Sequence, residues 1–179
     1  MTATKSGQNH IEVFVANEQS EESLDEGTWA ELLKNALNHQ GIKGAAEISL
    51  IFVDETTIAS LNERFLKHHG PTDVLSFPIE DNDVFVGRNP DGSSKGPTPG
   101  QLSQEMPLLL GDIVICPQVA AANAPGHRSE IHDGSTQDEL ALLVVHGALH
   151  ILGMDHENES EAVIMEAKEQ EILAKYYRT

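Results

Sequence analysis

The sequence predicts an α+β fold: a single compact domain in which a four-stranded sheet is packed with helices. Three observations predict it. Strand-like segments near 11–16, 46–54, 72–79 and 108–116 are interspersed with segments of helical period. The chain has 179 residues, enough for one core and short for two. It shows no internal repeat and no interdomain linker, so residues 1–179 are read as one domain.

Each element has its own warrant. Residues 1–9 are polar and read as a disordered tail. "IEVFVA" (11–16) alternates as a strand does, and "NEQSEESLDEG" (17–27) is an acidic, solvated loop. In "TWAELLKNALNHQ" (28–40), Trp29, Leu32, Leu33 and Leu37 share one helical face, with Thr28 as N-cap. "AEISLIFVD" (46–54) is a second strand, rich in β-branched residues. "ETTIASLNERFLKHH" (55–69) reads as a second helix with Ile58, Leu61 and Phe65 inward. "TDVLSFPI" (72–79) is a third strand, ended by Pro78. Residues 81–107, rich in Gly, Pro, Ser, Asn and Asp, read as a long exposed loop. "LLLGDIVIC" (108–116) is apolar but for Asp112, as a central strand is. "PQVAAANA" (117–124) begins a short helix with Pro in its first turn, and "PGHRSEIHDGS" (125–135) is a loop. "TQDELALLVVHGALHILG" (136–153) is a long buried helix, because Leu140, Leu142, Leu143, Val145 and Leu149 cover most of its circumference. Thr136 with Glu139 forms a capping-box pattern, and Gly153 suits the left-handed position at the far end. "ESEAVIMEAKEQEILAKYY" (159–177) is a final amphipathic helix.

Charge narrows the function. Asp and Glu number 29 against 11 Lys and Arg, for a net charge of -18. Such a field disfavours non-specific binding to nucleic acid or anionic membranes, so a polyanionic substrate needs a local positive site. Cys116 is the only cysteine, which excludes an intrachain disulfide; beside Pro117 it reads as a small buried residue. "MTATKSGQNH" has no apolar run of the kind a signal peptide needs, and no segment approaches the roughly 18 apolar residues of a membrane span. The expectation is a cytoplasmic protein with no membrane partner.

The strongest chemical signal is "HGALHILGMDH" (146–156), which holds three of the nine histidines. His146 and His150 stand four apart on the long helix, so their rings share one face and can chelate one ion. Gly153 lets the chain turn and swing His156 back as a third nitrogen. Three neutral imidazoles with an open fourth position make a catalytic metal site at the C-terminal end of a buried helix; a structural zinc site takes four protein ligands. Zinc is the default ion, and another divalent metal such as nickel also fits. The frame matches the zinc-protease pattern H-E-x-x-H-x-x-G-x-x-H, except that Gly147 replaces the general-base glutamate. Asp155 is placed to orient a ligand imidazole or to cap the following segment. His68 and His69 are adjacent and read as solvated; His10, His39, His127 and His132 lie in polar surroundings and read as surface residues.

"HGALHILGMDH" resembles the signature of the YbeY-type endoribonucleases, the rRNA-maturation factors of bacteria. "LNERFLKHHGPTDVLSFP" (61–78) is similar to that family's second block, and "LGDIVIC" (110–116) to a third. The resemblance runs from about residue 46 to 173, and the loop 81–107 is longer than the family's pattern. It implies a compact α+β domain with a four-stranded sheet, and His146, His150 and His156 as metal ligands. It also implies metal-dependent cleavage of single-stranded RNA in rRNA maturation, including the 16S rRNA 3′ end, and in ribosome quality control. The partners are then ribosomal RNA and the ribosome; delivery of the substrate by the ribosome or by a partner protein answers the acidic surface. One position departs. The family carries an arginine after the aromatic of its "LNxxF" block, where this chain has Leu66. Arg64 and Lys67 flank it, and Lys67 is about 100° away on a helix, so its long stem can reach a similar place. Arg64, Lys67 and Ser76 are therefore the candidate substrate contacts; the strand carrying Ser76 reads as an edge near the metal.

Two other classes compete: a metallopeptidase-like hydrolase, which the missing glutamate disfavours, and a non-catalytic ribosome-assembly factor stabilised by its metal. Without a carboxylate base, the expected catalytic group is a metal-bound water, whose pKa the ion lowers to about 7. The alternative nucleophile is the RNA 2′-OH. The water route is preferred because three neutral ligands leave the ion its full charge.

Overall fold

The strand segments assemble as their side-chain alternation requires. In the computed structural model, which describes residues 10–79 and 107–178, they form one four-stranded sheet. The strands are β1 (His10–Asn17), β2 (Ala45–Phe52), β3 (Val74–Pro78) and β4 (Leu108–Ile115), in the order β1-β2-β4-β3. The first two pairings are parallel, and β3 lies antiparallel to β4 as an edge. The largely apolar β4 is thus central. The tail expected over 1–9, and all but Pro107 of the loop expected over 81–107, lie outside the described residues.

A period of two divides the side chains between two faces. Ile48, Leu50, Phe52, Ile113 and Ile115 enter the main core with α1 (Glu26–His39). Leu75 and Val114 point the other way, into a small cluster with Ile58 of α2 (Glu55–Leu61) and with Cys116, which is buried as expected. Gly111 sits beside a register shift between β2 and β4, with φ 138°. A Cβ there would lie 2.2 Å from the Phe77 carbonyl oxygen, so only glycine lets β3 approach.

After β4 come α3 (Pro117–Asn123), a 3₁₀ turn (Ala124–His127), α4 (Thr136–Ile151) and α5 (Glu159–Tyr176). α4 contacts β3, β4, α1, α3 and α5. Leu140, Leu143, Val145 and Leu149 on it are buried, which is how a helix apolar around most of its circumference must pack. None of the described helices is long and apolar enough to cross a membrane.

Several local expectations are corrected. The N-cap of α1 is Asp25, not Thr28: its carboxylate accepts from the Thr28 N–H at 3.4 Å and from the Thr28 hydroxyl at 2.8 Å. The N-cap of α4 is Ser135, which accepts from Asp138 N at 3.1 Å, so Glu139 is released from the expected capping box. The helix expected over 55–69 ends at Leu61 and continues as a π-helical turn (Asn62–Leu66) closed by Lys67 at φ 60°. Asn62 is buried and donates to Gly70 O at 2.9 Å, which bends the chain early. Phe65, expected inward, is consequently 52% exposed and meets Phe77 edge-on, with 5.2 Å between ring centroids. His39 and His132 are not surface residues. His39 is wedged between Glu171 and Tyr176, and His132 is buried. His68 and His69 are exposed as expected.

Candidate metal centre

The centre is built at the C-terminal end of α4. Helical spacing stacks His146 and His150 with their Nε2 atoms 3.0 Å apart. The helix then ends in paired backbone bonds, Gly153 N to His150 O at 2.9 Å and Met154 N to Leu149 O at 3.0 Å. Gly153 stands at φ 87°, the left-handed conformation this closure needs. The reversal brings the His156 ring centroid to 5.5 Å from that of His146 and 5.1 Å from that of His150. One ring nitrogen from each histidine lies within 4.8 Å of the other two.

This donor set fits a divalent ion. Two nitrogens on one tetrahedral zinc, each at its usual bond length, stand about 3.3 Å apart. Glu169 of α5 contacts His146 Nδ1 at 2.6 Å, which fixes the proton on Nδ1 and leaves Nε2 with a free lone pair. His150 has a hydrogen bond with the Met154 backbone. Burial pushes His150 below the ordinary imidazole pKa, and His146 and His156 push it the same way, favouring the neutral ring that a metal requires.

Gly147 lies between His146 and His150, on the side of α4 that faces the sheet. A Cβ there would sit 2.7 Å from Ile113 Cγ2 and 3.3 Å from Ser76 Oγ. The Ser76 hydroxyl donates to Gly147 O at 3.3 Å, tying β3 to the histidine-bearing turn. Asp155 accepts from the His156 backbone N–H at 2.8 Å, so it shapes the turn, while the carboxylate on the His146 ring is Glu169. Arg64 and Lys67 belong to the turn after α2, whose Phe65 packs on Phe77. Arg64 lies over the Phe65 ring at 5.3 Å, and Lys67 Nζ donates to Arg64 O at 3.1 Å.

The sequence reading missed two carboxylates. Glu169 lies on the same face of α5 as Met165 and Ile172, and a buried acid in an apolar stripe was the available signal. Glu139, 1% exposed, receives His127 Nδ1 at 2.9 Å on both oxygens. His132 Nε2 also stands 3.0 Å from Glu139 Oε2, off the line of a good hydrogen bond. Gly134 N donates to His132 Nδ1 at 3.0 Å, so the proton of the neutral ring is on Nε2, towards Glu139. Between this knot and α5 a cleft of about 440 Å³ opens, with His146 and His156 on its wall.

Known proteins share this organisation. The family model for Endoribonuclease YbeY matches residues 14–177. The chain is 37% identical over 171 residues to the Endoribonuclease YbeY of Salinispora tropica, covering 94% of this chain and 98% of that protein. It is 39% identical to that of Thermobifida fusca, covering 94% and 96%, and 40% identical to that of Corynebacterium glutamicum, covering 93% and 76%. The solution structure of TM1509 from Thermotoga maritima superposes with a TM-score of 0.50 at 24% identity, over 92% of this chain and 91% of that one, a likeness of fold. By the family model and by these relatives, the chain belongs to the YbeY endoribonuclease family.

Proposed function

We propose that the protein is a metal-dependent endoribonuclease that cuts single-stranded RNA, acting in rRNA maturation and ribosome quality control with zinc as its ion. The observation that carries this is the convergence of His146, His150 and His156 in a member of this family. A divalent ion held by three imidazoles would polarise phosphoryl oxygens and water. The chain's own residues do the rest. Glu169 holds His146 in one tautomer, and Ser76 locks the ligand-bearing turn of α4 to β3. Arg64 and Lys67 are exposed cations available to the RNA backbone. The peptidase alternative needs a carboxylate base within the histidine frame, and position 147 faces Ile113, with no room for one.

The test compares metal-loaded wild type with His150→Ala on single-stranded RNA, duplex RNA and casein, with metal content measured in both proteins. Expected are cleavage of single-stranded RNA alone and loss of both metal and cleavage in the variant. Casein cleavage, or full RNA cleavage by a metal-free variant, would overturn the proposal. A single 2′-deoxynucleotide at the cut site identifies the nucleophile: continued cleavage is expected for attack by water, and a block with 2′,3′-cyclic phosphate ends would assign attack to the 2′-OH.

A further inference from the structure

The cleft beside the histidines has a chemistry that the metal centre does not explain. No lysine or arginine lines it among the described residues. One wall is α5, where Ala162, Glu166 and Gln170 recur every four residues and so form one ridge. The facing wall carries Ile131 and the ring of His127, whose side chain is 52% exposed. That ring is not free to turn, because the buried Glu139 carboxylate grips its Nδ1. The floor includes Met165, and the His146 and His156 rings open onto the same space.

Away from the histidine cluster, an RNA phosphate finds no lysine or arginine in this cleft and would meet Glu166. A neutral, flat base has apolar surface on both sides and a pre-fixed imidazole to stack on. The polar groups on the ridge are also poised differently. The Gln170 amide oxygen accepts from Arg178 Nη1 at 2.9 Å, which leaves its NH₂ as a donor. The Glu166 carboxylate has no partner among the described residues and offers two acceptor oxygens. Of the four RNA bases, only guanine presents two adjacent N–H donors, N1–H and N2–H, next to an acceptor, O6.

We infer that this cleft is a base-binding subsite, which takes the nucleobase next to the scissile phosphate and prefers guanine. It rests on the endoribonuclease reading and adds a sequence preference to it. His127 and Ala162 shape the slot, Glu166 accepts from the guanine donors, and Gln170 donates to O6.

The test uses metal-loaded full-length protein and short single-stranded oligoribonucleotides. Guanosine, inosine, uridine or an abasic ribose is placed in turn on either side of the cut bond. For wild type, kcat/KM on one side should favour guanosine over the abasic ribose by about tenfold or more, the scale of one stacked base. Inosine, which lacks the N2 amine, should fall between them. Glu166→Ala should remove the guanosine–inosine difference, and Ala162→Phe, which fills the slot, should collapse the guanosine-to-abasic ratio. Ratios are read within each variant, so a general loss of activity does not imitate the result. Equal wild-type rates on all substrates, or ratios unchanged in both variants, would overturn the subsite while leaving the nuclease intact. Absence of any RNA cleavage by wild type would overturn the nuclease reading, and the subsite with it.

Discussion

Gly147 shows how one missing side chain serves two ends. It leaves the histidine frame without a carboxylate, and it lets α4 lie close on β3 and β4. The first was legible, because the frame is a spacing rule. The second was not, because which side of α4 faces Ile113 is decided by tertiary packing. A methyl group at 147 would press on Ile113, a fully buried branched side chain with little room to yield. Overpacking of this kind costs about 1–3 kcal/mol, against about 1 kcal/mol gained from helix propensity. Gly147→Ala should therefore lower stability by on the order of 1 kcal/mol, seen as a reduced denaturant midpoint at constant m-value. A raised midpoint would mean that Ile113 gives way. Glu169 was hidden for another reason: it lies far along the chain from the ligands, on the next helix. Removing it frees the His146 ring to change tautomer and orientation. Glu169→Ala should weaken metal binding by about 10–100-fold in competition with a chelator, and Glu169→Gln by less, since its amide oxygen still accepts. Unchanged affinity in both variants would show that the 2.6 Å contact does not support the site.

Among the elements, those whose period is set by burial were readable, and those whose limits are set by local polar contacts were not. A run that is apolar but for Asp112 marks β4 as central, and an apolar surface around most of its circumference marks α4 as buried. α1 and α4 start earlier than their period suggests because Asp25 and Ser135 cap the N–H groups of Thr28 and Asp138, and α2 ends early where Asn62 donates to Gly70 O. The first turn of α4 also has a role that periodicity does not encode. Its buried Asp138 accepts a hydrogen bond from Tyr177, just beyond α5, and Arg178 lies 3.8 Å away. The two helices that carry metal-centre residues are thereby pinned together. Burial, then the Asp138 charge and hydrogen bond, push the Tyr177 phenol up to about 12. The unfolded chain ionises near pH 10, so it loses this proton first. The contribution of Tyr177 is thus whole below pH 10 and is lost as pH rises to about 12. In thermal melts across that window, wild type should lose more stability than Tyr177→Phe. Parallel losses would show that the phenol titrates normally.

The whole molecule sets a local demand for anion binding against a global field that opposes it. With a net charge of -18, approach to RNA is repelled until the chain is close. Three features bear on that demand: the histidine cluster at the end of α4, a cleft beside it that no described lysine or arginine lines, and the exposed Arg64 and Lys67 on the turn after α2. The convergence of His146, His150 and His156 was legible in one eleven-residue stretch, and the cleft beside them was not. The histidine spacing is local, whereas the cleft joins α4, α5 and the 127–132 loop. The net charge also limits how RNA can be held. Each backbone phosphate neutralised on a single strand contributes about -0.7 to the slope of log K against log salt. If only Arg64 and Lys67 meet phosphates, the slope should be no steeper than about -1.4. Naked single-stranded RNA should accordingly bind weakly at physiological salt. Lys67→Ala should make the slope shallower by about 0.7, across RNA sequences alike. Fluorescence anisotropy over a salt series reads both quantities. A steep slope, unchanged by Lys67→Ala, would place the phosphate contacts elsewhere on the surface. A slope near zero with measurable affinity would mean that stacking in the cleft, and not charge, holds the strand.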